Sequence, residues 1–370
     1  MLNKAFSILL SIALIMSGQS CTQSTGSISS QETIETPKIK NVILLIGDGM
    51  GIAQITSGLI ANKNRLNLEK TTHVGLIKTS SGDKLITDSA AGGTAFSAGK
   101  KTYNGAIGVD MNQAPVKNIV ELASEQNLAT GVISTSSITH ATPASFYSHV
   151  TSRKMEEEIA ADLVNSEIDL FMGGGKNFFA ARSDEKDLLQ ALQENGFTIA
   201  SDIQGTQNFQ GEKLAYLAAD GALPPKHEGR DDFLPLATEN AIDFLSQNEE
   251  GFFLMVEGSQ IDWGGHANNT EYVAQEMIDF DLAIGKALEF ASENQETLVV
   301  ITADHETGGM AVTGGNVETG EVEAKYSSGG HTPVLIPVFS YGPAAESFSG
   351  IYENTAIFDK IKSAYNWVVN

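Results

Sequence analysis

Short runs of consecutive apolar residues recur along the chain, each ended by glycine or by a polar or charged residue. The first, Asn41 to Ile46, is rich in β-branched residues and closes on Gly47-Asp48-Gly49. A strand with one wet face would alternate, so an unbroken apolar run predicts a strand buried on both faces. Thr130 to Thr135, Ile168 to Met172, Phe252 to Val256, Leu298 to Thr302 and Val334 to Ser340 read the same way. Between them the period changes. Val116, Ile119, Val120 and Ala123, and then Val273, Met277, Phe280, Leu282, Ile284 and Leu288, recur with a helical period and leave polar residues on the other faces. Alternating strands and helices predict an α/β fold, a three-layer α/β/α sandwich with a large, mostly parallel central sheet. The stretch from Ala181 to Arg230 is more polar and reads as surface excursions, with no mark of a domain boundary.

The amino terminus follows other rules. Lys4 precedes an uncharged run, Ala5 to Met16, long enough for the core of a signal peptide and short for a membrane span of roughly 20 residues. The run leads through small residues into Cys21, the only cysteine, in a pattern similar to a relaxed lipoprotein cleavage site. Two readings stand: lipid attachment at Cys21, or ordinary cleavage nearby with Cys21 incidental. Residues 1–20 are therefore expected to be an export signal, 21–40 a polar tether and 41–370 the folded domain. A single cysteine excludes an internal disulfide. With 41% apolar residues among 370, the chain has material for a sizeable core without one. Its 23 Lys and Arg against 46 Asp and Glu, a net charge of -23, argue against nucleic acid as a partner, because a phosphate backbone needs clustered cations. A single small phosphate in a metal-lined pocket remains compatible with that balance.

Ligands of open α/β sheets bind beyond the carboxyl ends of the strands. The residues there are Asp48, Glu257 and the pair Asp304-His305, and the loop after the Thr130 run brings His140 and Thr142. One carboxylate at a strand end is commonly a helix cap, but so many together fit that explanation poorly. Asp262 and His266 lie one helical turn apart and can face a single ion, although Gly264-Gly265 argues against a regular helix there. Asp304 and His305 share an ion only if the chain has left the strand, where neighbours point apart. Histidines and carboxylates without cysteine suit zinc, whereas threonine and glutamate oxygens suit magnesium. Ser89, followed by Ala90, Ala91, Gly92 and Gly93, stands where a helix would start beside an anion. Capping and nucleophilic attack ask for the same position, and the local sequence leaves both open; the two glycines also suggest a loose first turn.

Taken together, these blocks resemble the alkaline phosphatase family, in the family's order, from about Asn41 onward. Asp48 in Gly47-Asp48-Gly49-Met50-Gly51 and Ser89 in Thr87-Asp88-Ser89-Ala90-Ala91 resemble its opening and nucleophile blocks. Thr142 in Ala141-Thr142-Pro143 resembles a magnesium ligand. Arg153 falls where the family keeps its phosphate-binding arginine, although read locally it is a solvated helix charge beside Lys154. The set Glu257, Asp262 and His266, the pair Asp304 and His305, and His331 in Gly330-His331-Thr332 complete the likeness. The resemblance implies two zinc ions, one on Asp48, Asp304 and His305 and one on Asp262, His266 and His331. It also implies one magnesium ion on Asp48, Thr142 and Glu257, with His140 and Trp263 beside the magnesium and phosphate sites. The implied reaction is hydrolysis of small phosphate monoesters through a phosphoserine at Ser89, in an exported homodimer.

A sulfatase of the same superfamily would need a modifiable residue followed by Pro and Arg, which Ser89-Ala90-Ala91-Gly92 lacks. A phosphodiesterase, or a surface lipoprotein binding metal or phosphate without catalysis, are the alternatives; Arg153 and Glu257 favour monoesters. Gly173-Gly174-Gly175-Lys176 does not meet GxxxxGK[ST] and reads as a turn. His73, His149 and His227 belong to no block and read as structural or surface residues.

Overall fold

The computed structural model describes residues 39–367, in which the apolar runs are strands. In chain order the strands are β1 (Asn41–Gly47), β2 (His73–Lys78), β3 (Ala129–Ser137), β4 (Leu170–Gly174), β5 (Phe197–Ile199), β6 (Lys213–Leu217), β7 (Phe252–Gly258) and β8 (Thr297–Thr302). After them come β9 (Glu306–Thr307), β10 (Met310–Asn316), β11 (Glu321–Tyr326), β12 (His331–Thr332), β13 (Ile336–Tyr341) and β14 (Gly350–Glu353). The main sheet has 10 strands in the order β14-β2-β13-β8-β1-β7-β3-β4-β6-β5. Only β13 runs against the others, pairing antiparallel with both β8 and β2. The expected export signal, most of the expected tether and Cys21 lie outside the described residues. Among those described, no helix is long and apolar enough to cross a membrane.

Central position explains the continuous runs. β1 is flanked by β7 and β8 and Val42 through Ile46 have no exposure, so neither face tolerates a polar residue. One face carries the mutually packed helices Ile52–Ala61, Phe233–Leu245 and Thr270–Asn294, and the other carries Ser89–Ala98, Ile119–Glu125 and Ala356–Ala364. The layered α/β architecture expected from periodicity is therefore present. The strands that the pattern does not announce are β2, β5, β6 and β14, together with the hairpin β10–β11. They lie at or near sheet edges or outside the main sheet; in β2, β10 and β11 alternating exposure replaces the apolar run, and β5, β6 and β14 are short and partly exposed. The polar stretch read as surface excursions thus contains two strands of the sheet.

Two anchors fix the elements that matter for the site. In the first, Gln260 donates to Thr135 O at 3.0 Å and Leu223 O at 2.9 Å, while Tyr272 donates to Gln260 Oε1 at 2.6 Å. These bonds bolt the helix Gln260–His266 to the end of β3. The second anchor is a buried charge cluster. Arg230 reaches Glu276 at 2.5 Å and Asp279 at 2.8 Å, and Lys226 reaches Asp279 at 3.0 Å, tying the loop before Phe233 to the long helix Thr270–Asn294. Arg230 is 5% exposed and its two partners less, so removing it would strand Glu276 away from water without a cation and leave Asp279 with Lys226 alone. Arg230→Met is expected to cost about 3–5 kcal/mol of stability in urea denaturation; a loss within about 1 kcal/mol would show instead that the cluster is effectively solvated.

Candidate metal centre

The site forms where β1, β7 and β8 end side by side, so that their next residues share one space. Asp48 follows β1, Glu257 lies at the end of β7, and Asp304 and His305 follow β8 after the chain has left the strand. Asp262 and His266 sit on the helix Gln260–His266, which is regular despite Gly264-Gly265. The glycines are needed for close approach: a Cβ on Gly265 would stand 2.8 Å from Thr307 O, and one on Gly264 2.8 Å from Val273 N.

Three groups of side chains converge: Asp262 with His266 and His331; Asp48 with Asp304 and His305; and Asp48 with Glu257 and His140. In the first, the two Nε2 atoms of His266 and His331 are 3.2 Å apart, and Asp262 lies 3.3 Å from the former and 3.5 Å from the latter. In the second, His305 Nε2 is 3.2 Å from Asp304 Oδ2 and 3.6 Å from Asp48 Oδ1. Asp48 turns its other oxygen, Oδ2, to Thr142 Oγ1 at 3.5 Å. Glu257 Oε2 accepts from Ser134 at 2.6 Å and Ser259 at 2.7 Å. All the expected ligands thus lie in these groups or against them, and His140, placed by sequence only beside the third group, supplies a nitrogen to it.

The electrostatics test whether cations fit. Asp48 Oδ1, Asp304 Oδ2 and Glu257 Oε1 are buried with no hydrogen-bond partner, an arrangement that is costly unless a cation completes it. Burial, then the neighbouring Asp304, Asp262 and Glu257 charges, push the Asp48 carboxyl well above the usual range. Burial and Asp262 push Asp304 up to about 7. Burial also raises Glu257. Burial alone would raise Asp262 too, but the bond from His266 and the charges of His305 and His331 hold it low, while His266 rises to about 9 against that carboxylate. Carboxylates and imidazoles at these separations suit zinc-type ions, and the Asp48, Thr142 and Glu257 oxygens suit magnesium.

Ser89 opens the helix Ser89–Ala98, 2% exposed, with its Oγ 3.4 Å from His305 Nε2. The capping role left open for it falls to Asp88, whose Oδ1 accepts from Ala91 N at 3.1 Å. Gly92 and Gly93 do not loosen this turn. They are buried: a Cβ on Gly92 would lie 2.9 Å from Asp304 Cβ and one on Gly93 2.8 Å from Ser145 Oγ, so Gly92 lets the helix press against the metal group and Gly93 against the segment after Thr142. Arg153 is not a solvated helix charge: it donates to Asp88 Oδ2 and to His140 Nε2, both at 3.1 Å. Burial, then Arg153, lowers His140 to about 3, so it is a neutral imidazole. Trp263 meets His140 edge-on, with ring centroids 6.0 Å apart.

His149 bonds Gly108 O and Glu121, and His227 packs on Tyr272, so neither joins a metal group. Sequence reasoning passed over Asp88, Ser134, Ser259 and Glu306. Asp88 had a visible signal as the residue preceding a helical run, and Ser259 lies only two residues from Glu257, which it bonds; Ser134 acts on a partner far away in the chain, as Glu306 does through Gln54.

Residues 39–326 match the family model described as alkaline phosphatase. The chain is 35% identical to alkaline phosphatase 3 of Bacillus subtilis, covering 98% of each, and 33% identical to the alkaline phosphatase of Escherichia coli, covering 90% of this chain and 88% of that one. It also superposes on the alkaline phosphatase of the Antarctic bacterium TAB5 with a TM-score of 0.85 and 49% identity, over 90% of this chain and 100% of the other. With the fold, the converging ligand groups and these likenesses in agreement, the chain belongs to the alkaline phosphatase family of metal-dependent phosphomonoester hydrolases.

Proposed function

We propose that Ser89 is the nucleophile of this phosphatase and is transiently phosphorylated. The observation that carries the reading is its place: a buried hydroxyl at a helix N-terminus, 3.4 Å from His305 Nε2 and beside carboxylate oxygens that have no partner. Asp48, Asp304 and His305 would hold one zinc ion, Asp262, His266 and His331 a second, and Asp48, Thr142 and Glu257 a magnesium ion. When bound, such ions lower the pKa of a nearby hydroxyl and offset charge on the attacking and leaving oxygens.

The chain's own residues do the rest. Ser89 Oγ gives its proton to solvent and attacks phosphorus; the Oγ–P bond forms as the bond to the leaving alkoxide breaks, and the alkoxide takes a proton from water and departs as the alcohol. Water then cleaves the phosphoserine, releasing inorganic phosphate and restoring the hydroxyl. Arg153 forks onto two non-bridging oxygens, which lysine cannot do, and Asp88 holds the guanidinium in place until substrate arrives. The positive end of the Ser89–Ala98 helix faces the same dianion. His140 and Trp263 flank this pocket. We read the chain as exported, tethered through residues 21–40 with lipid on Cys21, and as a homodimer; these rest on the amino-terminal pattern and the family likeness.

After acid quench with a monoester substrate, phosphate is expected on the Ser89 peptide, and Ser89→Ala is expected to lower kcat by about four orders of magnitude. An unlabelled peptide with undiminished turnover would remove the covalent step. Turnover of an aryl phosphate monoester should exceed that of the matching diester on one preparation; the reverse order would favour the phosphodiesterase reading. Dialysis against EDTA should abolish activity, and zinc with magnesium should restore it. Metal uptake should weaken as pH falls through about 7, because Asp304 then holds a proton that the ion must displace. In the metal-free protein the sign is opposite for stability: a raised carboxyl stabilises below 3.8 and that contribution is lost as pH rises through about 7. Thermal melts of the apo protein across that window check it.

A further inference from the structure

Glu306 follows the Asp304-His305 pair and is 4% exposed, yet no cation pairs with it among the described residues. Its charge is met by four donors instead. Oε1 accepts from Gln54 Nε2 at 2.7 Å and Met310 N at 3.0 Å; Oε2 accepts from Gly309 N at 3.2 Å and from Thr332 Oγ1. Gln54 lies on the helix after Asp48 and Thr332 is the neighbour of His331, so one carboxylate ties together segments leading to both zinc groups. Its hold on His331 matters most. β12 is only two residues long and pairs only with β9, Thr332 opposite Glu306 and His331 opposite Thr307. Before it stand Gly329 and Gly330, which have no side chains to pack and are held through their carbonyls, Gly330 O by Gly308 N at 2.9 Å and Gly329 O by His266 Nδ1 at 2.7 Å. The ring of His331 is also met by Thr87 O at 2.9 Å from Nδ1, by the stacked ring of His305 with centroids 3.5 Å apart, and by His266 and Asp262 of its own group.

We propose that Glu306 and Thr332 form a latch that positions His331 and so sets how tightly the Asp262, His266 and His331 group holds its zinc. Neither is a catalytic residue, and Glu306 acts through Thr332. The inference rests on the reading of that group as a zinc site. Without the latch, the two-residue strand keeps its pairing with β9 and the bonds at its glycines but loses its side-chain anchor, and the freedom it gains must be given up on binding, which appears as weaker affinity.

The test is zinc competition against a chromophoric chelator, reading two equivalents per chain in the wild type. Thr332→Val keeps the shape and removes the hydroxyl. It should weaken one equivalent by about tenfold or more, leave the other unchanged, and leave the apo thermal midpoint unchanged; Thr332→Ser should restore wild-type affinity. Wild-type affinity at both equivalents in Thr332→Val would overturn the latch, as would equal weakening of both with a lower apo midpoint, which marks a general structural role. If the wild type itself takes up no zinc, the zinc reading fails first, which separates the two failures.

Discussion

Four carboxylates, Asp48, Glu257, Asp262 and Asp304, are gathered at one end of the sheet with exposures of 4% or less. Like charges brought together away from water repel strongly, and each loses its hydration. Everything around them bears on that repulsion. The central strands supply the rigidity that keeps them together, Ser134 and Ser259 satisfy one oxygen of Glu257, and the oxygens left without partners define where positive charge belongs.

The same constraint explains the glycines. Helices carrying Ser89 and Asp262 must come close to the Asp304 loop, and only residues without a Cβ allow it. Read locally, Gly92-Gly93 looks like a weak helix start and Gly264-Gly265 like a helix breaker. In the fold they are contact surfaces, and the intrinsic helix penalty is outweighed by burial against the site.

Much of this was legible in sequence because β1, β7 and β8 are buried on both faces. Their apolar runs end abruptly, and the first polar residue after each run is a ligand candidate. The strands β2, β5, β6 and β14 at the two sides of the sheet gave no such signal, since each is short or partly exposed and none carries an unbroken buried run. Ser89 was ambiguous because capping and nucleophilic attack ask for the same position, and the structure gives the cap to Asp88. Glu306 was invisible for a different reason. Its role depends on Thr332, which is distant in sequence and meets it only through the two-residue pairing of β12 with β9.

Asp48 offers one oxygen to the group with Asp304 and His305 and the other toward Thr142 and the group with Glu257. A ligand shared in this way makes the two groups parts of one thermodynamic unit. Whatever free energy an ion in one group adds to or takes from binding in the other is returned equally in the reverse order of filling. Loading this centre is therefore a linked equilibrium, and a dissociation constant for either ion has meaning only with the occupancy of its neighbour stated.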